Sequence, residues 1–242
     1  MYQRARFLPA GDKALVVELG DSITPEINRK VRDLLAAIEN QGIPGLVDLV
    51  PSYRSLLVYY DPLCLSLPEL EELLSALEQN LDQADLKAPR VVEIPTLYGG
   101  EYGPDIGQVA KHNGLALEEV IRIHSGAEYL VYMMGFTPGF PYMGGMSERI
   151  ATPRLQTPRT AIPAGSVGIA EQQTGVYPIE SPGGWQLIGR TPVQLFDPQR
   201  EPPVAVTVGD YIRFAPITEE AYHDIQRQVR TGSYQLTTRD RR

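Results

Sequence analysis

The sequence predicts an α+β chain in two parts, a helix-and-strand part over residues 1–94 and a strand-rich part over residues 95–242. Three observations carry this. Two segments of the first part repeat apolar residues at helical spacing, whereas the second breaks into short apolar runs separated by Gly and Pro. An apolar fraction of 43% supplies the core that both parts need.

In the first part, Ala14 to Leu19 reads as a strand. Thr24 then offers a capping oxygen with Pro25 at the first helical position, and Ile27, Val31, Leu34, Leu35 and Ile38 line one face until Gly42 stops the helix. Two strands, Leu46 to Val50 and Ser55 to Tyr60, are close enough to form a hairpin. Ser66 with Glu69 is a capping box, and Leu70, Leu73, Leu74, Leu77 and Leu81 form a second stripe, read as core rather than as a partner-binding face. Val91 to Ile94 closes the set. This order of strand, helix, strand, strand, helix, strand is that of the ferredoxin-like βαββαβ unit.

From Pro95 the pattern changes. Short helices are expected at Pro104 to His112 and Leu117 to Ser125, then a strand from Tyr129 to Phe136. Further strands are expected at Ser166 to Ala170, Val176 to Ile179, Trp185 to Gly189, Val193 to Phe196, Val204 to Val208 and Tyr211 to Ala215, a density that suggests a β-barrel or sandwich. A last helix starts at Thr218 with Tyr222, Ile225 and Val229 inward.

Composition excludes several classes of function. With 22 Lys and Arg against 30 Asp and Glu, the net charge of -8 argues against nucleic acid as the main partner. The uncharged stretch Tyr129 to Ser147 is interrupted by Gly and Pro, so no membrane span is expected, and the start MYQRARFLPA suggests no signal peptide. The cytoplasm is the expected location. No P-loop is present, and His112, His124 and His223 show no metal-ligand spacing. PAGSVG around Ser166 misses the nucleophile-elbow pattern, so Ser166 reads as a turn or strand-edge residue. Cys64 reads as a buried inert thiol. His124, on the apolar face of its helix, reads first as a hydrogen-bonded core histidine and second as a site residue.

Residues 135–192 hold 10 of the 22 Gly and 8 of the 21 Pro. Glycine lets backbone approach closely, proline fixes turns, and loops so built are preorganised for binding. The same segment carries Phe136, Phe140, Tyr142, Tyr177 and Trp185 as flat surface and Arg154, Arg159 and Arg190 as forked donors. It also carries Gln172, Gln173 and Gln186 as neutral donors and acceptors. With 4 Arg against 3 Glu it is slightly cationic within an acidic chain, and the segment reads as a binding surface.

The strings GFTPGFPYMGG, PRTAIPAGSVGIAEQQTGVYP and SPGGWQLIGRTP resemble the signatures of the KipI/PxpB family, also called allophanate hydrolase subunit 1. The resemblance spans nearly the whole chain. It implies a ferredoxin-like domain (1–94) followed by a cyclophilin-like β-barrel (95–242), with no prolyl isomerase activity inferred. It implies the B subunit of an ATP-dependent 5-oxoprolinase, working with PxpA-like and PxpC/KipA-like subunits to open 5-oxo-L-proline to L-glutamate. The chain alone would bind no cofactor, while the complex would use ATP with Mg. A second implied reading is inhibition of a sporulation-type histidine kinase, with Phe136, Pro138, Gly139, Phe140 and Pro141 as a docking loop. A third is a component of urea carboxylase or allophanate metabolism. In the enzyme reading Arg159 and Arg190 engage a carboxylate or phosphoryl group, Gln172 and Gln186 orient a lactam or acyl phosphate, and Tyr142 and Trp185 exclude water.

Overall fold

The computed structural model describes residues 1–81 and 89–241. The chain divides by its internal contacts into Met1–Ala88 and Pro89–Arg242.

The first unit comprises β1 (Arg6–Pro9), β2 (Ala14–Glu18), α1 (Pro25–Gln41), β3 (Leu46–Pro51), β4 (Ser55–Tyr60) and α2 (Leu67–Gln79). Thr24 Oγ1 accepts from Ile27 N at 3.3 Å, and Gly42 ends α1 in the left-handed region at φ 56°. At the second helix, Ser66 N donates to Glu69 Oε2 at 2.9 Å, one arm of the expected box. Leu70 and Leu74 are fully buried among Leu15, Ile27, Leu34 and Leu56, so the leucine stripe is core.

The four strands pair antiparallel in the order β1-β2-β4-β3. This corrects the expected βαββαβ order. The place beside β2 is filled from the N-terminal side by β1, a short, largely exposed strand with too little pattern to read in advance. Val91 to Ile94 lies instead in the second unit as part of β5 (Arg90–Tyr98). Its apolar residues are buried because strands flank it on both sides, which is the environment that a continuous apolar run requires.

The second unit continues with α3 (Ile106–Asn113), α4 (Leu117–Ser125), β6 (Tyr129–Met134), β7 (Pro141–Gly144), β8 (Arg159–Ile162), β9 (Ser166–Ala170) and β10 (Gln173–Val176). It ends with β11 (Ser181–Gly183), β12 (Gln186–Arg190), β13 (Tyr211–Pro216), α5 (Glu219–Arg230) and β14 (Thr238–Asp240). The main sheet runs β10-β9-β12-β5-β13-β6-β7, with β14 also on β5. Its two edge strands, β10 and β7, approach each other, so the sheet is a nearly closed barrel around Ile94, Val131, Val167, Ile169, Ile188 and Phe214. The short β8 and β11 form a separate ribbon.

Two expected strands are absent. Val193 to Phe196 and Val204 to Val208 form a loop whose one bridge joins Phe196 to Val204, although Val193, Leu195 and Val206 are buried. Arg200 donates to the carbonyls of Gln194, Leu195, Pro202 and Pro203, supplying side-chain bonds where ladder bonds were expected. At Val176 to Ile179, only Val176 is in a strand, because β9 and β10 form a hairpin that turns earlier, at Glu171 and Gln172. Among the described residues no helix is long and apolar enough to cross a membrane.

Candidate functional site

The aromatic residues of the Gly/Pro-rich segment converge. Phe140, Tyr177 and Trp185 are buried in one cluster with Ile162 and Leu187, and Tyr142 packs against it half-buried. Phe140 meets Trp185 edge-on at 5.8 Å between ring centroids and Tyr177 at 5.5 Å. Glycine makes this possible: a Cβ on Gly183 would lie 2.5 Å from the Tyr177 hydroxyl and 2.8 Å from Ile162 Cδ1. Burial pushes the Tyr177 phenol up to about 12, with Arg154 and Arg159 opposing the push and Tyr142 adding to it. Those three side chains therefore act electrostatically on one hydroxyl. Arg154 is exposed, as is Gln172 on the β9–β10 turn, while Gln173 opens β10.

Arg159 is not a free donor. Its Nη2 donates to Asp105 Oδ1 at 2.7 Å, and its Nη1 donates to the Trp185 carbonyl at 3.4 Å. Asp105 Oδ2 accepts from Leu187 N at 2.7 Å, and Asp105 N donates to Leu187 O. Strand β12 pairs with β5 only through Gly189 and Arg190. The Asp105–Arg159 pair therefore satisfies the strand edge beyond that point, as a neighbouring strand would. Sequence reading missed Asp105, which offered only the signal of a helix start after Pro104.

Arg190 lies elsewhere. Five residues along β12 separate it from Trp185, roughly 15 Å in extended backbone. Its guanidinium sits 5.6 Å from the Tyr102 ring centroid and acts on the Tyr222 hydroxyl, whereas Arg159 is held by Asp105 and the Trp185 carbonyl. Gln186 is buried and donates to the Pro153 carbonyl at 2.8 Å. The segment thus holds two separate arginine environments, and the structure does not bring Arg159 and Arg190 onto one ligand.

The loop before β7 also divides. Phe136 is 62% exposed and Pro138 is exposed, whereas Gly139, Phe140 and Pro141 are buried. Phe136 takes φ +63°, unusual for a non-glycine residue, and rests edge-on against Phe140 at 5.6 Å. Phe136 and Pro138 are the exposed residues of this loop.

His124 is fully buried on the core side of α4. Its Nε2 is 2.8 Å from Thr174 Oγ1, which donates to Gly168 O, and its Nδ1 is 2.7 Å from the Tyr98 hydroxyl. Thr174 has spent its proton, so Nε2 carries the hydrogen and Nδ1 accepts from Tyr98. Burial lowers its pKa from 6.5 to about 3, which fixes a neutral core histidine with both nitrogens occupied. Cys64, expected to be buried, is exposed, and the Asp61 carboxylate beside it raises its pKa and keeps it a thiol. Among the described residues no cluster of His, Cys, Asp and Glu could hold a metal ion. Of the segment's residues, Arg154 presents an exposed cation and Phe136 an exposed ring, while Phe140, Tyr177 and Trp185 are buried.

Residues 5–206 match the family described as carboxyltransferase domain, subdomain C and D. The Kluyveromyces lactis urea carboxylase shares this fold, with a TM-score of 0.78 at 21% identity over 98% of this chain and 24% of that one. Within this class, the chain belongs to the family of 5-oxoprolinase B subunits. It is 48% identical over 227 residues to the 5-oxoprolinase B subunit of Bacillus subtilis (strain 168), covering 88% of this chain and 93% of that protein. It is 42% identical to the protein of the same name from Escherichia coli O157:H7, covering 90% and 98%. A conserved uncharacterized protein of solved structure from Pyrococcus horikoshii is 52% identical over 90% of this chain and all of that one, with a TM-score of 0.54.

Proposed function

We propose that this chain is the B subunit of an ATP-dependent 5-oxoprolinase that opens 5-oxo-L-proline to L-glutamate with A and C subunits. The observation that carries the reading is 48% identity to a 5-oxoprolinase B subunit across most of both chains. We read the first unit as ferredoxin-like with its closing strand supplied by β1, and the second as a cyclophilin-like barrel.

In this reading the chain is a non-autonomous subunit. It contributes a rigid wall, in which Tyr177, Trp185 and Phe140 exclude water and Arg154 faces the solvent side with Tyr142. Phe136 and Pro138 dock against a partner subunit. ATP with Mg belongs to the assembled complex, and His124 does not serve as its general base, because it is neutral with both ring nitrogens engaged. The reading places the complex in the cytoplasm.

The test is reconstitution. Purified chain mixed with A and C subunits, ATP, Mg and 5-oxo-L-proline should release ADP and glutamate, and the chain alone should show neither ATPase nor lactamase activity. No turnover from a well-formed complex, or robust turnover by the chain alone, would overturn the proposal.

A further inference from the structure

We infer that the first unit carries a docking groove for a cationic amphipathic helix of a partner protein, at the edge of its sheet where α1 ends against β3. The groove, of ≈ 330 Å³, runs between the last turn of α1, at Ile38, Glu39 and Gly42, and the edge strand from Leu46 to Leu49. Its apolar lining is only partly covered by the fold: Ile38 is buried, but Ile43, Leu46 and Leu49 are half-buried. It shares no residue with the Gly/Pro-rich segment of the second unit.

The two most exposed large apolar side chains among the described residues belong to this edge. Val47 is 69% exposed and lines the groove, and Leu63 is 94% exposed. Asp61 N donates to Gly45 O at 2.8 Å, and a Cβ on Gly45 would lie 3.0 Å from Cys64 Cβ, so the segment carrying Leu63 packs on the chain that enters β3. Side chains this exposed add little to the fold, whereas a partner that covers them gains most of an aliphatic side chain's burial.

Charge selects the partner. Glu39 and Asp48 are the charged residues of the lining, both are exposed, and neither forms an ion pair among the described residues. Glu39 lies in the last turn of α1, which holds no basic residue, so its carboxylate and the negative end of the helix dipole add. A carboxylate there works against the helix, and a cation on a partner would offset it. Two other occupants fit less well. A second copy with its groove on this one would set these carboxylates against each other. An added strand would find Asp48 Oδ1 already on Leu49 N at 2.8 Å, a register shift between Leu46 and Asp48, and no N–H at Pro51. A helix needs none of these backbone groups, because it lays aliphatic side chains into the groove and keeps Lys or Arg at the acidic rim.

The test titrates the full chain with a synthetic helix of about 14 residues, bearing Leu at every third or fourth position and Lys on its flanks, and with a control in which every Lys is Glu. Calorimetry should show saturable binding of the Lys peptide and none of the Glu peptide. Amide shifts in the ¹⁵N-labelled chain should gather at Gly42, Val47, Asp48 and Leu63. Leu63→Ser should weaken binding roughly tenfold or more, as expected for one aliphatic side chain newly buried. Glu39→Gln should weaken it roughly twofold to fivefold while leaving Tm unchanged or higher, a separation that a purely structural role for Glu39 would not give. Both side chains are exposed, so neither variant threatens folding. No binding, equal binding of the two peptides, shifts gathered elsewhere, or full affinity in Leu63→Ser would overturn the inference. Self-association of the chain that Leu63→Ser abolishes would also overturn it, by assigning the groove to a second copy.

Discussion

Acidification should destabilise the second unit through His124, and the size of the effect follows from its burial. The folded-state pKa of about 3 lies below the ordinary 6.5, so below pH 6.5 the unfolded chain binds a proton that the folded chain refuses. Stability is therefore full above pH 6.5 and is lost progressively as the pH falls toward 3. Between pH 7 and pH 5 this one group should remove about 2 kcal/mol, rising toward about 5 kcal/mol when both states are protonated. Over a unit of this size, 2 kcal/mol corresponds to roughly 4–8 °C in Tm. The check is urea denaturation at both pH values for wild type and His124→Gln. Glutamine can donate to Thr174 and accept from Tyr98 but cannot titrate, and carboxylates that titrate equally in both proteins cancel in the difference. His124→Gln should be less stable at pH 7 and should lose about 2 kcal/mol less on acidification. Equal losses in the two proteins would show that His124 is not held neutral and would refute the assigned tautomer.

Asp105→Asn should lower the stability of the second unit by about 1.5–3 kcal/mol, because charge-assisted bonds to Leu187 N and Arg159 weaken together. Arg159 is 30% exposed, so solvent screening favours the lower part of that range, and a double-mutant cycle with Arg159→Gln by thermal melting should show coupling. Additive losses would mean that Arg159 is not a strand-edge clamp. Phe136→Gly should leave stability within about 1 kcal/mol of wild type, since relief at φ +63° is offset by glycine's freedom in the unfolded chain. It should weaken assembly with the partner subunits at least tenfold by calorimetry, as expected for an exposed aromatic anchor. Unchanged affinity would remove Phe136 from the interface.

Local chemistry was legible because the signals act at short range. Thr24, Pro25 and Gly42 bounded α1 by capping and backbone preference alone, and the leucine spacing of α2 placed Leu70 and Leu74 inward. The Gly/Pro distribution likewise pointed to the segment that builds the aromatic wall. Some residues carried no local signal. Strand β1 is short and mostly exposed, so neither alternation nor an apolar run marks it, and only its pairing with β2 defines it. Asp105 looked like any helix-start residue, and its role depends on Leu187 and Arg159, which lie 82 and 54 positions away.

The sequence by itself determined the two-part α+β organisation, the family and the residue types available for binding, because caps, periodicity and long motifs are written in consecutive residues. Tertiary structure alone decided that Val91 to Ile94 joins the barrel, that Arg159 is a clamp while Arg190 stands apart beside Ser166, and that Phe136 faces outward while Phe140 is core. Each of these depends on which strands become neighbours, and strand pairing is set by long-range burial rather than by any single stretch of chain.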